Sequence, residues 1–316
     1  MLNDVEDVAT AGKWRSFLPK PLTDATTFNG KFYAVPVNVH GEHWIYWNKA
    51  AFAKVSAPDP DTWDHFFEAA DKLKAAGIIP LALGGQNWQE RLLFDATVIS
   101  FGGPELFEKI YRDHDEAAIR GPAFRKAVDI FVRLRSYVDA GSPGRNWNDA
   151  TNMVMTGQAG MQIHGDWMKG EYYVAGKKAG VDFGCIVGGP GEHHVFTIGG
   201  DVFVFPKTTK PEAIAMQKKM AEVMISPDVQ VAFNNVKGSV PVRGDVDTSK
   251  MDACAQEGLK VLNTPGQSVA SVNLLASPNL AGAIQEHIST FWNTPTMKPE
   301  AFIDRFVEVM KTTPDK

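Results

Sequence analysis

The sequence predicts an α/β protein of layered strands and helices, and three observations carry that prediction. Short runs rich in Val, Ile and aromatic residues, bounded by Gly, Pro or Asn, recur along the 316 residues. Between them lie segments whose apolar residues return every three or four positions, the period of a helix with one buried face. The composition, 44% hydrophobic and 22% charged, supports a packed interior and excludes a disordered, collagen-like or coiled-coil chain. At roughly 100–200 residues per domain, the length points to two domains or one large one.

Residues 32–39 and 44–47 read as the first strands. Asp61-Thr62 then offers an N-cap to a helix whose stripe is Trp63, Phe66, Phe67, Ala70 and Leu73, with Gly77 as its stop. Residues 78–83 form the next strand. Phe124, Ala127, Val128, Phe131, Leu134 and Val138 make a second helical stripe between Gly121-Pro122 and Gly141. Strands over 160–163, 181–187 and 202–205 follow. Pro211 suits a first helical position, and Ala213, Met216, Met220, Val223 and Met224 carry that stripe to Ser226-Pro227. Leu280, Ile284, Ile288 and Phe291 after Pro278, then Phe302, Phe306 and Val309 after Pro299, complete the helices. No repeat and no single linker divides the chain, which fits two domains joined by several crossings.

Several function classes drop out. With 32 Lys+Arg against 37 Asp+Glu, the net charge is −5, a poor match to a phosphate backbone, so no nucleic-acid partner is expected. No apolar run approaches the ~20 residues of a membrane span. The opening Met1-Leu2-Asn3-Asp4-Val5-Glu6 has neither the basic nor the apolar region of a signal peptide. The cytosol, a processed export product and a shortened chain all stay open. Phosphate-loop, GxSxG and HExxH patterns do not occur, and the glycine pairs read as turns. His193-His194 would point to opposite faces of a strand, and His40 and His43 read as satisfied polar residues, so no metal and no cofactor are expected. Asp166, Glu171 and Asp201 are acidic, but spacing alone cannot set two of them across a bond, and an enzyme has no positive support. Cys185 and Cys254 lack CxxC spacing, and by themselves read equally well as two buried thiols.

Tryptophan beside polar groups in Gly-rich or Asn-rich turns is the distinctive feature. It occurs in Gly84-Gly85-Gln86-Asn87-Trp88-Gln89, Arg145-Asn146-Trp147-Asn148-Asp149 and Ile163-His164-Gly165-Asp166-Trp167. An indole face is flat and apolar, while neighbouring amides and carboxylates bond hydroxyls. A pyranose has the same division between C–H faces and an OH rim. Each tryptophan alone could be a core residue; three such turns together favour a sugar cleft.

The stretch Gly30-Lys31-Phe32-Tyr33-Ala34-Val35-Pro36-Val37-Asn38-Val39-His40, followed by Trp44-Ile45-Tyr46-Trp47-Asn48-Lys49, resembles the extracellular solute-binding proteins of sugar ABC transporters, and most of all their glucose/mannose-binding subgroup. Thr62-Trp63-Asp64, Gly157-Gln158-Ala159-Gly160-Met161-Gln162-Ile163, Gly199-Gly200-Asp201-Val202-Phe203 and Lys237-Gly238-Ser239-Val240-Pro241-Val242-Arg243 extend the resemblance in order to the C-terminus. It implies the type II periplasmic-binding-protein fold: two α/β lobes with a hinge, the first incomplete. Residues 1–38 with 200–260 would belong to lobe one, and 39–199 with 261–316 to lobe two. By motif, Trp167 would stack on the sugar and Trp147 line the site. Asp201 and Lys237 would bond hydroxyls, and His40 would sit at the cleft edge. Gln86 and Gln89 join as further contacts. The subgroup carries a cysteine at each of the positions of Cys185 and Cys254, which implies a disulfide.

Two departures matter. Where the subgroup has Ala-His-Gly, this chain reads Ser271-Val272-Asn273-Leu274-Leu275, so Asn273 is the candidate to replace that histidine. Family members also open with an export signal and the first βαβ units of lobe one. An α/β lobe typically needs ~100 residues or more, yet only about 35 precede the first crossing strand here. The resemblance therefore implies a chain shortened at its N-terminus. The expected function is a non-catalytic, monomeric, periplasmic or extracellular subunit that binds a monosaccharide and delivers it to ABC permease subunits. The rivals are a glycoside-hydrolase-like enzyme and a truncated remnant that binds nothing.

Overall fold

The strand Trp44–Asn48 shows how the layers are laid down. Successive side chains on a strand point to opposite faces. Ile45 and Trp47 accordingly enter one apolar core, while Trp44 and Tyr46 enter a second. In this computed structural model the described residues are 2–315. Trp44–Asn48 lies within a four-stranded sheet of order Ile79–Leu81, Ala159–His164, Trp44–Asn48, Phe183–Val187. The first two strands run parallel, and Trp44–Asn48 is antiparallel to both of its neighbours.

Helices Trp63–Ala75, Asn87–Tyr111, Pro122–Leu134, Pro278–Trp292 and Pro299–Thr312 supply most of the first core. Phe94, Phe131, Phe291, Phe302 and Phe306 meet there with ring centroids 4.2–6.3 Å apart, the range in which edge-on and offset rings attract. Thr62 caps its helix as expected, its hydroxyl accepting from the His65 N–H at 3.1 Å. The 25-residue helix Asn87–Tyr111 was not anticipated. It is buried on every side from Gln89 to Ser100, so it shows no one-sided stripe, and it kinks at Gly103 (φ 59°) before Pro104.

Ser268–Ala270, Phe196–Gly199 and His40–Gly41 form a second sheet, and Ala34–Pro36 pairs antiparallel with Val202–Val204. A hairpin joins Thr27–Phe28 to Lys31–Phe32 through Asn29 and Gly30, whose φ values of 48° and 78° are those of the Asn-Gly hairpin turn. The strand expected over 32–39 is thus broken into pieces, because its segments pair with different partners. The helix Pro211–Ile225 departs from expectation in another way. Its Met216, Met220 and Val223 are exposed, as are Val202, Phe203 and Val204, and only Ala221 and Ile225 are buried.

The chain crosses between these layers at 37–40 and 199–201. The Val37 N–H donates to the Asp201 carbonyl at 3.0 Å, and Val39 exchanges hydrogen bonds with Val240. The helix Pro227–Lys237 is fastened to the crossing by two buried amides. Gln230 and Asn234 each donate to the Val37 carbonyl at 3.2 Å, and Gln230 accepts from the Val242 N–H. Cys185 of strand Phe183–Val187 is disulfide-bonded to Cys254 of helix Ala253–Leu262, across 69 residues of sequence and a Cα–Cα distance of 6.0 Å. That helix packs on strand Phe183–Val187 and also touches Phe196–Gly199, and it spans residue 260, where the sequence suggests a boundary. Among the described residues, no helix is long and apolar enough to cross a membrane.

Candidate functional site

Four elements converge where the crossing strands meet the four-stranded sheet. His40 pairs with Gly199, and Asp201 follows two residues later, so both emerge at one sheet end. Asp166 lies just beyond strand Ala159–His164. Lys237 is the last residue of its helix, which Gly238 ends in the left-handed conformation (φ 90°). A Cβ at 238 would lie 2.6 Å from the Asp166 carbonyl, so glycine also permits this close approach.

These residues form a charged chain. His40 Nδ1 bonds Asp166, and its Nε2 lies 3.2 Å from Asp201 Oδ2. The Gly41 N–H donates to the other Asp166 oxygen at 2.8 Å. Asn38 donates to Asp201 Oδ2 at 2.9 Å and accepts from the Asp201 N–H at 2.6 Å. Lys237 Nζ stands 3.2 Å from the same carboxylate. Burial pulls His40 down most strongly, but the charge and hydrogen bond of Asp166, with those of Asp201, outweigh it and hold the imidazole at about 9. His40 is therefore a doubly protonated donor at neutral pH, and its Nε2–H points to Asp201 rather than to the Asn38 amide beside it. The His40 hydrogen bond, with help from Asn38 and Lys237, keeps Asp201 well below the usual carboxylate range.

Next to this chain lies an aromatic cluster around an uncharged histidine. His164 stacks on Trp147 (centroids 5.7 Å, planes 24° apart), tilts against Trp88 at 5.4 Å and meets the edge of Trp167 at 5.1 Å. Burial drives it down to about 3, so its Nε2 accepts the Trp167 indole N–H at 3.0 Å. Trp167 in turn sets an edge against His40 at 5.2 Å. Residue 165 has to be glycine, because a Cβ there would collide with the Trp167 ring.

His40, Trp147, Trp167, Asp201, Lys237 and Asn273 all line one cavity of about 940 Å³, together with Glu42, Glu171, Phe233 and Val236. Gln86 and Gln89 do not line it. Gln86 Oε1 accepts from the Trp88 indole at 3.1 Å and from Gln89 at 2.8 Å, so the pair braces Trp88 from behind. Sequence reasoning overlooked His164 and Glu42. The first stood in a motif already noted for its tryptophan, and the second directly follows the His40–Gly41 strand. Among the described residues, no group of three or more His, Cys, Asp or Glu side chains is arranged to hold a metal ion. Indole rings and fixed donors and acceptors on one cavity can hold a ring with C–H faces and a hydroxyl rim.

Residues 2–231 match the family described as bacterial extracellular solute-binding protein. The chain is 40% identical over 297 residues to a "Probable sugar-binding periplasmic protein" of Mesorhizobium japonicum, covering 92% of this chain and 70% of that one. It is 39% identical to a protein of the same description from Brucella suis biovar 1, covering 86% of this chain and 64% of that one. The chain thus spans about two thirds of the length of these relatives. Among solved structures, a "Chitin oligosaccharide binding protein" superposes with a TM-score of 0.81 at 19% identity, over 98% of this chain and 78% of that one. This likeness concerns the fold: two α/β lobes with a hinge.

Proposed function

This chain belongs to the bacterial extracellular solute-binding protein family, and from that premise we propose that it is the carbohydrate-binding component of an ABC importer. Its ligand would be a monosaccharide of the glucose or mannose type, released to permease subunits after the lobes close and reopen. The observation that carries this reading is a cavity lined at once by Trp147, Trp167, Asp201 and Lys237. The indoles would cover a C–H face of the sugar, while the Asp201 carboxylate accepts from its hydroxyls and Lys237 donates to them. His40, charged and held by two carboxylates, would keep Asp201 ionised and aimed.

Closure would bend the crossings at 37–40 and 199–201. Residues 1–38 would move with the stretch from 200 onward, while helix Ala253–Leu262 stays with the body to which its disulfide binds it. Sugar-binding relatives described as periplasmic, together with the disulfide, support an oxidising compartment. A thermal-unfolding panel of neutral hexoses, amino acids and nucleotides tests the reading. Hexose alone should stabilise the protein, by about 2.7 kcal/mol at a hundredfold excess over its dissociation constant. Stabilisation by amino acids with none from any sugar, or hydrolysis of a glycoside by the purified protein, would overturn it.

A further inference from the structure

Glu42 directly follows the strand His40–Gly41 and lines the cavity beside His40 and Asn273. Its N–H donates to the Thr197 carbonyl at 3.1 Å, which fixes its backbone to the second sheet. The side chain is only 10% exposed. It fits because residue 199 is glycine; a Cβ there would lie 2.6 Å from Glu42 Oε1. Oε2 is buried and has no hydrogen-bond partner in the protein. Arg91 Nη2 lies 3.9 Å from it, near enough to attract but too far to donate. Arg91 Nη1 is already committed to Asp95 at 2.7 Å, and Asp95 also accepts from Tyr111 at 2.5 Å. The Ser271 hydroxyl is close enough to pull the Glu42 carboxyl down, yet like Oε2 it finds no partner of proper geometry. Burial works more strongly the other way and pushes the Glu42 carboxyl up.

Buried polar groups in folded proteins are almost always hydrogen-bonded, so a cavity-lining carboxyl that the fold leaves unmet, with an unmet hydroxyl behind it, has hydrogen-bonding capacity left for a ligand. We propose that Glu42 is a ligand-contacting residue of this cleft, its carboxyl bonding a hydroxyl of the bound sugar and, with Ser271 and Asn273, selecting among epimers. This rests on the sugar-binding reading above. A hydroxyl fits better than an ammonium group, because Arg91 behind the carboxyl and charged His40 beside it already counter a negative charge there. An ionised carboxylate only accepts, so it is sensitive to whether the hydroxyl it meets is placed to donate to it.

Titration calorimetry of the wild-type protein, Glu42→Gln and Glu42→Leu with glucose, mannose and galactose, beside ligand-free thermal unfolding, tests the proposal. Glu42→Leu should weaken the best hexose at least ~10-fold, a loss that one hydrogen bond to a buried carboxyl accounts for. Glu42→Gln should weaken it less and change the ranking of the three sugars. The ligand-free unfolding midpoint should hold or rise in Glu42→Gln, since Arg91 keeps Asp95 and an unmet carboxyl is gone. Wild-type affinity and ranking in both variants, with or without a lowered midpoint, would make Glu42 a structural residue and overturn the proposal while leaving the cleft a sugar site. A wild-type protein that binds none of the three hexoses would overturn both.

Discussion

At the cleft three tryptophans gather around an uncharged histidine; beside them a charged histidine is held between two carboxylates. His164 and His40 are both buried, yet burial takes one down to about 3 while the other stands at about 9. The difference lies in what each ring can reach. His164 has indole faces and an indole N–H around it, so nothing opposes desolvation. Asp166 and Asp201 flank His40, and their combined attraction exceeds the same penalty. Burial therefore fixes the sign of a shift only where no counter-charge stands within hydrogen-bond reach. The tryptophans can offer apolar contact, the charged chain fixed hydrogen-bonding groups.

The largest effect should come from breaking the charged chain at its buried end. Asp166→Asn removes the charge that faces His40 and leaves one accepting oxygen where two served His40 and the Gly41 N–H. Removing one member of a buried pair typically costs 3–5 kcal/mol, and urea unfolding at neutral pH should show a loss of about 3 kcal/mol or more.

The two histidines should also divide the pH profile of stability between them. His40 is raised above its unfolded value of about 6.5, so its contribution is fully present below that pH and is lost as pH rises through about 9. It is on the order of 3 kcal/mol, shared with Asp166 and Asp201 and counted once. Asp201, held low, adds a contribution present above the ordinary carboxylate range and lost as pH falls below it. His164 is lowered, so its unfolded form takes a proton first, and stability falls as pH drops from about 6.5 towards 3. Denaturant unfolding across pH should show His40→Gln flattening the alkaline limb and His164→Asn relieving the acid one. A variant that alters the opposite limb would refute the assignment.

In the aromatic cluster, Trp167→Ala should weaken the best hexose by about 30-fold, as an aromatic anchor worth about 2 kcal/mol does, and Trp167→Phe by less, as read by calorimetry. The smallest effect belongs to the layer behind. Gln86→Ala removes the acceptor shared by Trp88 and Gln89 and should cost about 1 kcal/mol of stability, with sugar affinity changed only a few-fold.

How much could be read from the chain follows the same physics. One-sided stripes such as Trp63, Phe66, Phe67, Ala70 and Leu73 become helices because one face is buried and the other wet. Asn87–Tyr111 escaped notice because all its faces are buried, which erases the period. Met216, Met220 and Val223 have a helical period but stand exposed, since spacing reports a face and not what covers it. His40, Trp147, Trp167, Asp201, Lys237 and Asn273 lie far apart in sequence. Their selection came from family motifs, and no spacing rule would have placed them on one cavity. His164 sits in a motif that its tryptophan singled out, and Glu42 in none. Their roles depend on what surrounds them in three dimensions, the indoles of Trp88 and Trp147 in one case and the bare Cα of Gly199 in the other.

The most direct test of a cleft that joins indole rings to fixed charged groups is a crystal structure of the protein soaked with the hexose that stabilises it most. The sugar ring should lie with a C–H face against Trp147 and Trp167 and with its hydroxyls within hydrogen-bond distance of Asp201 and Lys237. A hexose bound elsewhere on the molecule, or one whose hydroxyl rim meets the tryptophans while its apolar face meets Asp201, would contradict it.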